Sequence, residues 1–230
     1  MTPDEERKRA AGFAAVDRYV RDGTCIGLGT GSTARWAVVR VGERVAAGER
    51  IVAVATSTAT ERQCRELGIP LVALGDDEID VAIDGADEVA ADWSLTKGAG
   101  GAMFREKAVA LAAETFVVIV TPEKLVTRLG AFPTPIEVVP FALATVIAGI
   151  QTALPHARVK QRKVDLAPVL TDNGNAILDC AFASIADPAA LDASLRAIHG
   201  VVATGLFFQI TGAVLVGEPG GVRELPKPTP

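Results

Sequence analysis

Residues 24–34 read TCIGLGTGSTA: a short run Thr24-Cys25-Ile26, three glycines at alternate positions, the hydroxyls of Thr30, Ser32 and Thr33, and then an amphipathic stretch that begins at Ala34. A nucleotide phosphate loop needs Lys-Ser/Thr directly after its last glycine. Gly31 is followed by Ser32 and Thr33, so that class is excluded. The spacing Gly29-x-Gly31-x-x-Ala34 fits part of a dinucleotide fingerprint, but that motif also needs an acid about 20 positions on to grip a ribose. The next apolar run, Ile51 to Ala55, passes instead into Thr56-Ser57-Thr58. Two readings remain. Backbone N–H groups and hydroxyls at a helix N-terminus suit a phosphate monoester or another small anion, and a tight turn that binds nothing has the same composition. Both require a strand, a glycine turn and a helix, and that unit decides the fold class.

The same alternation extends outward. Residues 4–20 are helical by pattern, with Ala10, Phe13, Ala14, Val16 and Val20 on one face. Helical runs follow at 33–47, 59–67 and 102–114, and strand-like runs at 24–28, 51–55, 70–74, 79–83 and 115–120. Short apolar strands separated by helices predict an α/β fold, a mostly parallel sheet with flanking helices (Rossmann-like), with ligands at the carboxyl ends of its strands. After Gly130 the character changes at Phe132-Pro-Thr-Pro135. A helix at 141–154, strands at 157–163 and 176–180, a turn at Asp172–Asn175, a helix from Asp187-Pro188 to Ile198 and an apolar run at 201–208 suggest a smaller α+β domain. The expected division is a catalytic α/β domain at 1–130, joined again by about 207–230, and a small α+β domain at 131–206.

A chain of 230 residues with 49% hydrophobic and 22% charged residues can bury a substantial core. Its net charge of −5 gives no general attraction for nucleic acid. The one basic cluster, Lys160-Gln161-Arg162-Lys163, reads as a solvated strand or loop. The acidic start Met1–Glu6 is not the basic head of a secretory signal, and no stretch has the length of a membrane span. Cys25, Cys64 and Cys180 are too scattered for a zinc site or a disulfide framework, so reduced thiols in a cytoplasmic protein are expected. Prolines in the tail 226–230 argue against regular structure there.

Further along lie the groups able to do chemistry. Asp84, Asp87 and Glu88 gather where the 79–83 strand ends. No calcium-loop string is present, and a magnesium site and a solvated acidic turn both stay open. Lys97-Gly-Ala-Gly-Gly101 supplies the lysine that the first loop lacks, either to hold an oxyanion or as an exposed residue of a flexible loop. In the next helix Phe104, Ala108 and Leu111 form the expected buried stripe, and Glu106 lies about 200° round from Phe104, facing away from the core. Its place in the first turn after a glycine-rich loop makes it either a general base, balanced between helix-dipole stabilisation and desolvation, or a solvated residue.

Taken together, Gly27–Ala34, Asp84-Gly-Ala-Asp-Glu88, Lys97–Gly101 and Arg105-Glu106-Lys107, with Phe132–Pro140, Thr171–Asn175 and Gly200–Phe207, resemble the type A ribose-5-phosphate isomerase family over nearly the whole chain. Ala99 departs from the family pattern, where a third consecutive glycine is common. The resemblance implies interconversion of ribose 5-phosphate and ribulose 5-phosphate through an enediolate, in the non-oxidative branch of the pentose phosphate pathway, without metal or organic cofactor. By the same resemblance Glu106 carries the proton between C2 and C1, and Asp84 and Asp87 assist ring opening and move protons between the oxygens. Lys97 then stabilises the enediolate, and Thr30, Gly31, Ser32 and Thr33 cradle the phosphate. Lys8 and Lys124 are the expected further phosphate-site cations, with Thr56 and Ser57 nearby. The implied partners are a sugar phosphate and further copies of the chain, as a homodimer or homotetramer, with no nucleic acid and no membrane. Two rivals are an amino-sugar-phosphate deaminase or isomerase and a sugar-phosphate sensor without turnover. The sensor needs no base aimed at carbon, and the chain has no spare length for a DNA-binding domain.

Overall fold

The computed structural model describes residues 1–228; the last two positions of the proline-rich tail lie outside the described residues. In chain order the first half forms α1 (Pro3–Tyr19), β1 (Cys25–Leu28), α2 (Ala34–Ala46), β2 (Val52–Ala55), α3 (Thr58–Glu66), β3 (Ile79–Asp84), β4 (Glu88–Val89), β5 (Leu95–Thr96), α4 (Met103–Ala112) and β6 (Ala113–Val120). The second half forms β7 (Thr134–Val138), α5 (Leu143–Ala153), β8 (Arg158–Gln161), β9 (Lys163–Val164), β10 (Ala167–Pro168), β11 (Ala176–Ala181), α6 (Pro188–Arg196), β12 (Val201–Thr204), β13 (Leu206–Phe207), β14 (Thr211–Glu218) and β15 (Gly221–Glu224). These elements group into two compact units, one of residues 1–86, 105–125 and 210 onward, the other of 87–104 and 126–209.

The first unit is an α/β layer structure. Its sheet has the order β15-β14-β6-β3-β1-β2; neighbours from β14 to β2 run parallel, and β15 closes the edge antiparallel to β14. Side chains alternate across the sheet. Ile26, Leu28, Ala53, Val81, Ile83, Val117, Ile119 and Leu215 point into one core shared with α1 and α2. α4 packs on the other face, where Val109 lies over Gly27 and Ala82. The expected strand at 70–74 is reduced to a bridge between Leu71 and Ala53, because the chain turns away at Gly75.

α1 begins on a Thr2 cap, whose hydroxyl accepts the Glu5 N–H at 3.2 Å, with Pro3 in the first turn and Asp4, Glu5 and Glu6 at the positive end of the helix dipole. Its buried residues are Ala11, Gly12, Ala15 and Val16, followed by Val20; Val16 and Val20 are as expected, whereas Ala10, Phe13 and Ala14 are only partly covered. Alanines let the helix lie close to the sheet. Phe13 is only partly covered, and the Arg9 guanidinium stacks on its ring at 4.1 Å from the centroid.

In the second unit an antiparallel sheet has the order β12-β7-β11-β8. Ile136, Val138, Leu178 and Cys180 face α5 and α6, where they meet Val146, Ile150 and Leu195. Residues of the opposite parity face the other way, and there Ile177 and Ala203 pack with Met103. A second small sheet, β13-β5-β4, explains why 87–104 belongs to this unit: Leu206 and Phe207 pair with Thr96 and Leu95. The boundary expected near residue 130 assigned that segment to the large sheet.

All three cysteines are buried. Burial pushes the Cys64 thiol up to about 11 and the Cys180 thiol up to about 12. Since the thiolate is the reactive form, the native protein at pH 8 should react slowly with a thiol reagent, and three thiols should appear on unfolding. Rapid labelling of the folded protein would contradict this packing.

Candidate active site

Four parallel strands of the first unit end on one side of the sheet, and its candidate residues lie on or just past those ends. β1 runs into Gly29–Thr33, β2 into Thr56 and Ser57, β3 ends on Asp84, and β6 is followed by the 3-10 turn Pro122–Lys124. This is where ligands collect in open parallel sheets.

The three glycines of the opening motif have three separate reasons. Gly27 lets α4 approach, since a β-carbon there would stand 2.4 Å from Val109 Cγ1. At Gly29 a β-carbon would stand 2.0 Å from Asp84 Oδ1, so this glycine makes room for the carboxylate. Gly31 turns the chain at φ 121°, with nothing within 4 Å of a β-carbon.

Asp84 is 3% exposed and fastens the loop: its Oδ1 accepts the N–H of Thr30 at 3.0 Å and of Gly85 at 2.7 Å. Thr30, expected from the resemblance to face a phosphate, instead turns its hydroxyl inward. It donates to Ser57 Oγ at 2.8 Å and shares hydrogen bonds with Thr56 Oγ1 at 2.8 Å and Thr60 Oγ1 at 3.1 Å. Thr56 Oγ1 and Thr60 Oγ1 also donate to the carbonyls of Leu28 and Gly29, at 3.1 and 2.9 Å, so the cluster ties the loop to the end of β1. Thr56 and Ser57 are buried in the same cluster. Gly31 and Ser32 of the loop are exposed, and Thr30 and Thr33 partly so. Thr33 occupies the N-cap position of α2 without making a side-chain cap, and no acid lies in that helix's first turn. The Arg35 and Trp36 N–H groups turn to Gly31 O and Thr33 O, at 3.0 and 3.1 Å, and the positive end of the helix dipole is what this N-terminus offers an anion.

Lys8 is paired in this state: its Nζ lies 2.6 Å from Asp4 Oδ2. The hydrogen bond from Lys8, outweighing desolvation, holds the Asp4 carboxyl below its ordinary value. One turn earlier, Glu5 anchors Arg35 of α2 at 2.5 Å. Lys124 is half-buried, its N–H bonded to Thr121 O at 3.0 Å.

Glu106 is 5% exposed, whereas Phe104 is 42% and Leu111 63% exposed. The angular separation of Glu106 from Phe104 is as expected, but the two faces are exchanged. The buried face of α4 is Met103, Glu106, Val109 and Ala110, four positions within an arc of about 120°. Its register follows from Val109 seating over Gly27. Burying a carboxylate is costly unless it is compensated, so this one is held in the protein at the expense of a simpler solvated position.

The second unit carries Asp87 and Lys97. Lys97 is 2% exposed; its N–H donates to Gly205 O at 2.8 Å, and its Nζ lies 5.6 Å from the centroid of the buried Phe207 ring. A β-carbon at 205 would stand 2.2 Å from Lys97 O, so only glycine fits there. Asp87 is partly buried, and its Oδ2 accepts the Ala99 N–H at 2.9 Å. Glu88 is structural: it accepts from Thr96 Oγ1 at 2.8 Å, Gly130 N at 3.1 Å and Phe132 N at 2.9 Å. Sequence reasoning missed Arg162. Instead of being solvated, it donates to Asp179 and to the carbonyls of Gly98 and Ala99. The available signal was Asp179, a lone acid in the apolar strand Ala176–Ala181. Among the described residues no group of three or more His, Cys, Asp or Glu side chains is placed to hold a metal ion, and no helix is long and apolar enough to cross a membrane.

Comparison with known proteins bears directly on this set of residues. Residues 52–221 match the family model for ribose 5-phosphate isomerase A (phosphoriboisomerase A). The ribose-5-phosphate isomerase A of Bacillus mycoides is 43% identical over 221 residues, covering 94% of this chain and 98% of that protein. The solved structure of ribose 5-phosphate isomerase A from Methanocaldococcus jannaschii superposes with a TM-score of 0.91 at 38% identity, covering 96% of this chain and 99% of that one. A D-ribose-5-phosphate isomerase in complex with phospho-erythronic acid gives 0.92 at 40% identity, covering 98% and 99%. With matches of this extent in sequence and in structure, the chain belongs to the ribose 5-phosphate isomerase A family.

Proposed function

We propose that the protein interconverts D-ribose 5-phosphate and D-ribulose 5-phosphate, with Glu106 as the general base. The observation that carries this reading is a carboxylate in the first turn of α4 that is 5% exposed, on a helix whose Phe104 and Leu111 face outward. Isomerisation moves one proton from C2 of the aldose to C1 of the ketose. A carbon-bound proton beside a carbonyl is weakly acidic, so a base must be held within about 3 Å of it. Charge that develops on the oxygens must also be met by fixed positive charge or donors. In this reading Glu106 takes the C2 proton and returns it at C1, Lys97 meets the enediolate oxygen, and Asp84 and Asp87 assist ring opening and exchange protons with O1 and O2. The phosphate binds at the uncapped start of α2, on Gly31, Ser32 and Thr33, with Lys8 and Lys124 as cations. Thr30 acts through the loop, not on the ligand. Binding energy from the phosphate, remote from the reacting carbons, serves to orient the open-chain sugar.

The test is formation of the ketose from ribose 5-phosphate by purified protein in excess chelator. Turnover supports the reading, and a protein that binds the sugar phosphate without converting it supports a sensor. Thr33→Ala should raise KM about tenfold, the worth of one hydrogen bond to a charged group, with kcat nearly unchanged. A loss confined to kcat would remove Thr33 from the phosphate site.

A further inference from the structure

Arg162 and Asp179 lie outside every role assigned so far. The Arg162 N–H donates to Ile177 O at 2.8 Å, one step on in the register that pairs Gln161 with Leu178, so its side chain lies on the sheet face of Asp179. The guanidinium grips Asp179 in a fork, through Nε to Oδ2 at 2.9 Å and through a short bond from Nη2 to Oδ1. Its remaining terminus, Nη1, donates to Gly98 O at 3.0 Å and to Ala99 O at 2.7 Å. Four of its five N–H donors are thereby used. The same Ala99 peptide offers its N–H to Asp87 Oδ2 at 2.9 Å. A continuous chain of charge-assisted hydrogen bonds thus runs from Asp179 through Arg162 and Ala99 to Asp87, and the loop it holds begins at Lys97. Such planar, bidentate geometry cannot be reproduced by a lysine.

We propose that Arg162, oriented by Asp179, is a positioning residue for the reaction: by clasping the Gly98 and Ala99 carbonyls it fixes the loop that sets Lys97 and Asp87. This rests on the isomerase reading above. The phosphate contacts of that reading lie on other residues, so the loop's displacement is felt in the chemical step and not in binding.

The test compares the parent with Arg162→Ala, Arg162→Lys and Asp179→Asn, each checked for folding. Loss of the clasp is expected to lower kcat about 10- to 100-fold, the effect of a small misplacement of catalytic groups, with the affinity for phospho-erythronic acid within about threefold of the parent. Added guanidinium ion should restore part of the Arg162→Ala activity, and Arg162→Lys should stay impaired. Hydrogen exchange across 97–104 should quicken in all three variants, whether or not the parent turns over ribose 5-phosphate. A parent without turnover would therefore sink the isomerase reading alone. Unchanged exchange across 97–104 overturns the inference about Arg162. So does a kcat within twofold of a turning-over parent, or an equal loss of kcat and ligand affinity that guanidinium does not relieve. If Arg162→Ala does not fold, Asp179→Asn and Arg162→Lys are judged by the same exchange, kcat and affinity criteria.

Discussion

Replacing Glu106 by glutamine should lower kcat for ribose 5-phosphate by about 10³-fold or more, within the range that a positioned general base contributes. The amide keeps the shape of the side chain and its place on the buried face of α4, between Met103 and Val109, but it cannot accept a proton from carbon. Binding of phospho-erythronic acid, the ligand seen with a related isomerase, should stay within about threefold, because the phosphate contacts assigned to residues 31–33 are untouched. The variant should also fold, since a neutral amide is cheaper to bury than a carboxylate. An equal loss of affinity and turnover would make Glu106 a binding residue. A variant that keeps a tenth of the parent's kcat would mean that another group takes the proton.

A second large effect is expected from Gly29→Ala. The added methyl would stand 2.0 Å from Asp84 Oδ1 and 2.5 Å from Asp84 Cβ, so the carboxylate must move, and its bonds to the Thr30 and Gly85 N–H groups break with it. Overpacking of this kind costs about 1–3 kcal/mol of stability, and misplacing an acid in the site costs about 100-fold in kcat. Gly31→Ala is the control. It meets nothing within 4 Å but sits at φ 121°, so it carries about 1–2 kcal/mol of backbone strain without displacing Asp84. Thermal unfolding and kcat measured on both variants separate the two effects. A Gly29→Ala protein with kcat within tenfold of the parent would refute the close approach.

The parallel sheet was readable from the sequence because each strand is a short apolar run and each connection is a helix. Placement of Asp84 and the glycine loop at strand ends follows from the same periodicity. What the sequence concealed depends on contacts across the chain. Nothing local tells that Val109 seats over Gly27, and that contact turns Glu106 inward and leaves Phe104 and Leu111 outside. The inward turn of the Thr30 hydroxyl needs Thr56, Ser57 and Thr60, which lie some 30 positions away. In α1 helical spacing alone did not fix which face meets the sheet, and close approach selects Ala11 and Ala15 over Ala10 and Ala14. Arg162 was taken as solvated with its basic neighbours because its partners, Asp179 and the Gly98 and Ala99 carbonyls, lie 17 or more positions away. In each case the residue type was informative and its direction was set by a partner distant in sequence.

The most direct measurement of the central claim is the fate of the moving hydrogen. Ribose 5-phosphate incubated with the protein in deuterium oxide and followed by NMR should acquire deuterium at C1 of the ketose and, on return, at C2 of the aldose, in those turnovers in which the protonated carboxyl exchanges with solvent before it gives the proton back. The Glu106→Gln variant, with phospho-erythronic acid still bound as tightly, should show neither turnover nor exchange. A glutamine variant that turns over or labels as fast as the parent would contradict proton transfer by Glu106.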